Sequence, residues 1–362
     1  MNELRNIILQ YEKLKESQTP SVLATVVHVE GSAYRRAGAR MIVDETGNMY
    51  GAISGGCLEG DALKKALYAL YKNQKKVIEY DTSDESDAVL GAQLGCNGLI
   101  KVIFEPIDFE DSKNPMEILK WAEKQSIPTD VLIHYSENEK VNGTFGAGNA
   151  DAHFGNQQIN EGIGAEIKSA TGKGINYFTL NNEAYFINKL KPPFHLLIIG
   201  AGNDAVVLSQ MAALLGWEIS ILDGRHTHAT DQRFAENCQV YLGDASEVLK
   251  CIKNPENTAL VLISHNFQYD LKVLKQIQPL KNLPYVGILG PKKKFNKLLD
   301  SLKEAGIVFE NDALNGLYSP MGFDIGAETP AEIALATLAE IQAVINQKNG
   351  GSLREKPGRI HN

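Results

Sequence analysis

His195-Leu196-Leu197-Ile198-Ile199-Gly200-Ala201-Gly202-Asn203-Asp204-Ala205 decides the fold of the second half of this chain. His195 to Ile199 reads as a continuous apolar run, the mark of a parallel strand buried on both faces. Gly200 to Ala205 then gives GxGxxA between that strand and a helix over Asp204 to Leu215, the context in which such a glycine turn carries meaning. Asp223 closes the next strand, where a dinucleotide-binding fold places its ribose-binding carboxylate. Further strands are expected at Glu218 to Leu222, Gln239 to Leu242, Thr258 to Ile263 and Tyr285 to Leu289. Helical patterns alternate with them at Ala245 to Ile252, Tyr269 to Gln276 and Lys292 to Leu302, and a last helix spans Ala331 to Ile345. This alternation is a doubly wound parallel sheet of Rossmann type.

A Rossmann fold does not by itself fix a ligand. Gly200, Gly202, Asn203 and Asp223 are the candidate cofactor contacts, and the plain reading is that the glycines serve packing alone. Asp204 sets a carboxylate on the helix N-terminus, where it either occupies the place of a pyrophosphate or repels one. Arg225 leaves the choice between NAD and NADP open. Ser264-His265-Asn266 and Gly290-Pro291-Lys292-Lys293-Lys294 follow the fourth and fifth strands, at the carboxyl edge where open α/β sheets bind ligands. His265 is the candidate acid/base, with an ordinary hydrogen-bonding loop histidine as the commoner meaning. The lysines suit a phosphate or a solvated helix face.

Working back toward the N-terminus, Lys191-Pro192-Pro193 is the clearest linker. The expected division is an N-terminal α+β domain over 1–190, the Rossmann-like domain over 191–346 and an extended tail over 347–362. The first half shows a helix over residues 3–16 and strands at Ser21 to Val29, Ala39 to Val43 and Met49 to Ile53. A helix over Leu58 to Tyr71 and strands at Lys76 to Tyr80 and Leu99 to Glu105 follow. Within 107–190 only Val131 to His134 and Ala184 to Asn188 read as strands, and Val141 to Gly164 reads as a long loop or loose hairpin.

Ser54-Gly55-Gly56-Cys57-Leu58-Glu59 stands between a strand and a helix. A thiol there meets unpaired N–H groups and the positive end of a helix dipole, which favour thiolate. Two glycines let a ligand approach the backbone. The plain alternative is a small buried cysteine at a tight turn. Cys96, in Gly95-Cys96-Asn97-Gly98, is a second thiol in a glycine-flanked turn. Arg35, Arg36 and Arg40 are candidates for pairing with a phosphate, since guanidinium groups grip phosphate bidentately; surface salt bridges are the other reading.

The net charge of −8 argues against nucleic-acid binding, and no basic run carries interleaved aromatics. No apolar stretch approaches membrane-spanning length and the start is not a signal peptide, so a cytoplasmic protein is expected. The four cysteines, none in a CxxC pair, are expected as reduced thiols rather than a disulfide framework or a structural zinc site.

Together these residues resemble the XdhC/CoxI family of molybdoenzyme maturation factors. The resemblance rests on Gly31-Ser32, Arg35 to Ala39, Gly51 to Glu59 and Gly95 to Gly98 in the first half. In the second it rests on Gly200 to Ala205, Leu215-Gly216-Trp217, Asp223-Gly224-Arg225, Ser264-His265, Gly287 to Lys292 and Ser319-Pro320-Met321-Gly322-Phe323-Asp324-Ile325-Gly326, with Glu328-Thr329-Pro330 and Glu332-Ile333-Ala334. Tyr34 and Ala37 stand where the family often has Pro, and Asn97 where it has a second glycine. The resemblance implies a chaperone that binds the molybdenum cofactor, a pterin dithiolene with a phosphate or nucleotide tail. Such a protein holds it while a cysteine desulfurase supplies the sulfido ligand, then delivers it to a client of the xanthine or carbon monoxide dehydrogenase type. On this reading Cys57 contacts the molybdenum or its sulfur, with Cys96, Gly55 and Gly56 beside it, and the chain is not itself the dehydrogenase. A homodimer is among the expected assemblies. The competing readings are an NAD(P)-dependent oxidoreductase using His265 and Asp223, and a non-catalytic adaptor between desulfurase and target.

Overall fold

In the computed structural model the strand pattern of the second half closes into one six-stranded parallel sheet. The residues described are 2–31, 34–56, 58–81, 98–136, 143–155, 176–180, 182–235, 237–280, 282–309 and 316–356. The chain divides into two units, Met1–Pro192 and Pro193–Asn362.

The first unit holds two five-stranded antiparallel sheets. One has the order β3-β2-β1-β5-β4, from β1 (Ser21–Gly31), β2 (Arg40–Asp44), β3 (Met49–Gly51), β4 (Lys76–Asp81) and β5 (Gly98–Pro106). The other has the order β8-β7-β6-β10-β9, from β6 (Thr129–His134), β7 (Gly143–Gly148), β8 (His153–Gly155), β9 (Tyr177–Leu180) and β10 (Glu183–Leu190). β1 is buried without alternation from Ser21 to Val27, because both faces of its sheet are covered.

Helix α1 (Asn2–Glu16) lays Leu4, Ile7, Tyr11 and Leu14 on one face, beside Leu23, Ile42 and Ile103. Val131, Ile133 and Phe186 of the second sheet join that core. On the opposite face, α2 (Glu59–Lys72) packs through Ala62, Ala66 and Ala69 against Val22, Ala24, Met41 and Val43. Small residues at helical spacing let this helix lie close to the sheet. Glu105 is fully buried and ties the sheets together, accepting from the Thr144 amide and hydroxyl at 2.7 Å each.

Strand β9 and one helix of 107–190 escape the sequence reading, while the hairpin alternative for the glycine-rich stretch agrees with its described part. Helix α3 (Pro115–Glu123) starts on Asn114, whose side chain accepts from the Met116 and Glu117 amides, with Pro at its first position. The described part of the glycine-rich stretch is the antiparallel pair β7–β8.

In the second unit the strands are β11 (His195–Ile199), β12 (Glu218–Asp223), β13 (Cys238–Leu242), β14 (Thr258–Leu262), β15 (Tyr285–Ile288) and β16 (Leu317–Tyr318). Their spatial order is β13-β12-β11-β14-β15-β16, all parallel. That is the 3-2-1-4-5-6 arrangement of a Rossmann sheet, with its switch point between β11 and β14.

One face carries α4 (Asn203–Leu214) and α7 (Pro330–Ile345), through Ala205, Leu208, Ala212, Leu338 and Ile341. The other carries α5 (Phe267–Ile277) and α6 (Lys292–Glu304), through Leu271, Leu274, Leu298 and Leu302. The expected helix at 245–252 is a 3₁₀ segment, Ala245–Cys251, held by a capping box between Asp244 and Glu247. The expected extended tail contains one short 3₁₀ turn, Leu353–Glu355.

Candidate cofactor-handling sites

In the first unit the loop after β3 is built around one hydroxyl. Ser54 Oγ accepts from the Gly56 and Leu58 amides, each at 3.1 Å, and donates to a Glu59 carboxylate oxygen. The other Glu59 oxygen accepts from the Ser54 amide at 2.9 Å. Burial alone would raise the Glu59 carboxyl, but hydrogen bonds from the Ser54 side chain and backbone outweigh it and hold it below its usual range. Ile53 and Leu58, on either side of the turn, are anchored in the core under α2.

Between these anchors Gly56 has φ +106, and a Cβ there would meet nothing within 4 Å. A Cβ on Gly55 would press on the Tyr34 ring at 3.0 Å. Ile53 and Leu58 are thus anchored on either side and Tyr34 roofs Gly55, while among the described residues nothing covers the Gly56 side at the N-terminus of α2.

Cys57 and Cys96 lie outside the described residues. The strands show where their loops leave the sheet. Gly98 pairs with Gly31, and Gly51 with Met41, so both loops join the same end of the β3-β2-β1-β5-β4 sheet.

The three arginines do not gather there. Arg35 is ion-paired with Glu3 of α1, and Arg36 is exposed. Arg40 is buried beside Ile42 on the α1 face, opposite to Met41 and Val43, which meet α2.

In the second unit the predicted positions do converge on the carboxyl edge of the sheet. Gly200, with φ +110, lets the first loop lie against the fourth: a Cβ would stand 2.6 Å from Ser264 Cα. Gly202, at the N-cap of α4, faces open space, the room a phosphate needs to reach that helix end. His265, at φ +54, brings Nε2 to 3.3 Å from Asp204 Oδ2 across the switch point.

Asp223 is occupied from within. Its Oδ2 accepts from the Ala201 amide and Arg225 Nη2, both at 2.6 Å. Its Oδ1 accepts from the Arg225 amide at 2.8 Å and Arg225 Nε at 3.0 Å. A carboxylate has about four acceptor sites, and here four donors fill them. Burial raises this carboxyl, but the Arg225 and Ala201 bonds pull it below its ordinary value.

Lys294 does not face solvent with Lys292 and Lys293. Its Nζ turns back to Leu289 O at 3.1 Å and to the buried Asp270 at 2.7 Å. Asp270 accepts from Ser264 Oγ at 2.6 Å, so this pair holds the His265 turn.

The sequence reading missed Arg233, whose Nη1 donates to Ala201 O at 2.6 Å and His228 O at 2.9 Å, and whose Nη2 donates to Asn203 Oδ1 at 3.1 Å. It also missed Glu340, which joins the Tyr285 hydroxyl (2.6 Å) to the Gly322 amide (2.8 Å) and so orders the segment after β16. Burial and Glu340 push the Tyr285 hydroxyl far above its usual range. A long-range arginine and a helix carboxylate leave no local signal.

Two family models match, "XdhC Rossmann domain" over residues 196–341 and "XdhC and CoxI family" over 14–81. Over 349 residues the chain is 30% identical to a probable xanthine dehydrogenase subunit from Bacillus subtilis, covering 93% of this chain and 96% of that one. The chain belongs to the XdhC and CoxI family. A further relative is the molybdenum cofactor insertion chaperone PaoD of Escherichia coli, 23% identical over 90% of this chain and 83% of that protein. A crystal structure described as a xanthine dehydrogenase from Bacillus halodurans superposes with a TM-score of 0.76 at 26% identity, over 97% of this chain and 98% of that one. Among the described residues no helix is long and apolar enough to cross a membrane, and no group of three or more His, Cys, Asp or Glu is placed to hold a metal ion.

Proposed function

We propose that this chain is a cytoplasmic accessory protein that binds the molybdenum cofactor as cargo. It supports the cofactor's sulfuration by a cysteine desulfurase and delivers it to a xanthine or carbon monoxide dehydrogenase-type client. The observation that carries this reading is the Ser54 clasp. It bonds the amides on either side of Cys57 and, among the described residues, leaves the Gly56 side open at a helix N-terminus. An anionic group is favoured at such a helix end, and a thiolate suits a soft, sulfur-ligated metal. The similarity to PaoD, an insertion chaperone by name, supports the same role. Cys57 is the proposed contact to the metal or its sulfur, with Cys96 as a second thiol on a loop joining the same sheet end. Arg36, exposed in the loop that follows β1, remains for the phosphate tail. The chain acts by custody and transfer rather than by turnover of its own substrate.

The Rossmann unit departs from what hydride transfer needs. A ribose hydroxyl at Asp223 would have to displace Arg225, and the Asp204 carboxylate lies where a pyrophosphate would approach α4. The open Gly202 side favours a smaller phosphate-bearing portion of the cargo.

The test is Cys57→Ala in the full chain, with pterin fluorescence measured after oxidation of the purified protein, beside a calorimetric titration with NADH. Loss of bound pterin with an unchanged fold and no saturable NADH binding is expected. Unchanged pterin occupancy in the variant would remove the ligand role, and stoichiometric NADH binding would restore the oxidoreductase reading.

A further inference from the structure

Arg40 is buried, yet among the described residues no carboxylate hydrogen-bonds to it. Among the described residues its only hydrogen bond runs from Nη1 to Gly38 O at 3.0 Å, while Nε and Nη2 have no partner. Nε and Nη2 form one edge of the guanidinium plane, the edge that grips two oxygens of one anion. The protein shows that use elsewhere: the same edge of Arg225 holds the Asp223 carboxylate at 3.0 and 2.6 Å. In Arg40 the edge is unpaired, and burying an unpaired cation is costly.

Two further polar atoms near it also lack partners. Asn188 Oδ1 is buried and unpaired, and so is Thr25 Oγ1, the cross-strand neighbour of Arg40. Arg40, Asn188, Gly38, Glu3, Ile7 and Leu190 border a cavity of about 160 Å³, large enough for a small anion with water.

The nearby carboxylates are already spoken for. Glu3 pairs with Arg35. Glu105 is held by Thr144, with Lys75 at 3.7 Å. Among the described residues no carboxylate oxygen is hydrogen-bonded to Arg40, and Glu105 and Glu3 act on its charge only from a distance. Burial pulls its pKa down to about 10, which still leaves it charged at neutral pH.

We infer that this cavity is a binding site for a small oxyanion, a carboxylate or a phosphate, seated on the Nε–Nη2 edge of Arg40. It lies on the sheet face opposite to α2, so it does not rest on the cofactor reading and stands or falls without the pterin.

The experiment is anion-dependent thermal unfolding of the full chain, with inorganic phosphate, sulfate and acetate against chloride at matched ionic strength. Equilibrium dialysis of labelled phosphate and labelled acetate supplies the stoichiometry. Wild type should bind one anion per chain and gain about 3 °C or more per tenfold rise in anion above its Kd. Arg40→Met should lose both responses. Asn188→Asp supplies the missing carboxylate internally, so it should raise Tm in chloride and lose the anion response, which keeps the test decisive if Arg40→Met does not fold. Response to phosphate alone assigns a phosphate site, and response to acetate alone a carboxylate site. Equal anion responses in wild type and Asn188→Asp, or no binding by wild type at tens of millimolar, would overturn the inference.

Discussion

Replacing Ser54 by alanine removes the hydroxyl that accepts from the amides on either side of Cys57. The Leu58 amide is buried and loses its acceptor, a loss of about 1–3 kcal/mol. The Gly56 amide lies nearer solvent and finds water, so it adds little. Glu59 loses the hydroxyl but keeps the Ser54 amide. Taking about 2 kcal/mol for the sum, and tenfold per 1.4 kcal/mol, the ordered turn becomes roughly 30-fold less populated if the cost falls on the loop alone. Ile53 and Leu58 stay anchored in the core, which favours that local outcome over global unfolding. Pterin retention after gel filtration, read by fluorescence, should then fall by a similar factor in Ser54→Ala, while Ser54→Thr, which keeps the hydroxyl, should stay near wild type. The clasp also sets a pH dependence. Glu59 is held below its ordinary value of 4.5, so its contribution is complete above that value and is lost as pH falls through the lower folded value. If Ser54→Ala retains pterin as wild type does while Cys57→Ala loses it, the clasp does not position the thiol and the reasoning fails.

Two predictions concern the Rossmann unit. His195 sits between Ser220 Oγ (2.9 Å) and Thr258 Oγ1 (3.1 Å), and burial, then Lys253, pulls its pKa from 6.5 down to about 4. The unfolded chain binds the proton first, so stability should fall by up to about 3 kcal/mol as pH drops from 6.5 to 4. Urea unfolding across that range should show the slope in wild type and a flatter one in His195→Gln; equal slopes would sink the assignment. The glycines of the first loop should behave oppositely. Gly200→Ala forces a Cβ against Ser264 at positive φ and should cost several kcal/mol, whereas Gly202→Ala points into open space and should leave Tm nearly unchanged. Differential scanning calorimetry of both variants decides it, and a large loss in Gly202→Ala would show that the side is filled.

What the sequence made legible follows from how local each signal is. The parallel strands are apolar runs that need no partner to be recognised, and β11 falls at His195–Ile199 as read. Helix α3 carried its own start signal, Asn114-Pro115 with Glu117, but its nine residues are too short for periodicity to stand out. β9 was hidden for a different reason: its four residues are half-buried and show no alternation. The site residues divide in the same way. Spacing located Asp223 at the end of β12, because strand length and connection length are nearly fixed in this fold. Spacing is silent about occupancy, and the group filling that carboxylate stands only two residues further on, at Arg225. The arginines show the converse. Arg35 and Arg40 are alike on paper, but strand alternation turns Arg40 into the sheet interior, and the direct ion pair of Glu3 on α1 goes to Arg35. Sequence thus gives where a charged group is carried, while the charge it meets is decided by which elements the fold packs beside it. For this chain, that second fact separates a satisfied Asp223 from an unsatisfied Arg40, and it makes the arginine, rather than the motif carboxylate, the residue with an edge free to take a ligand.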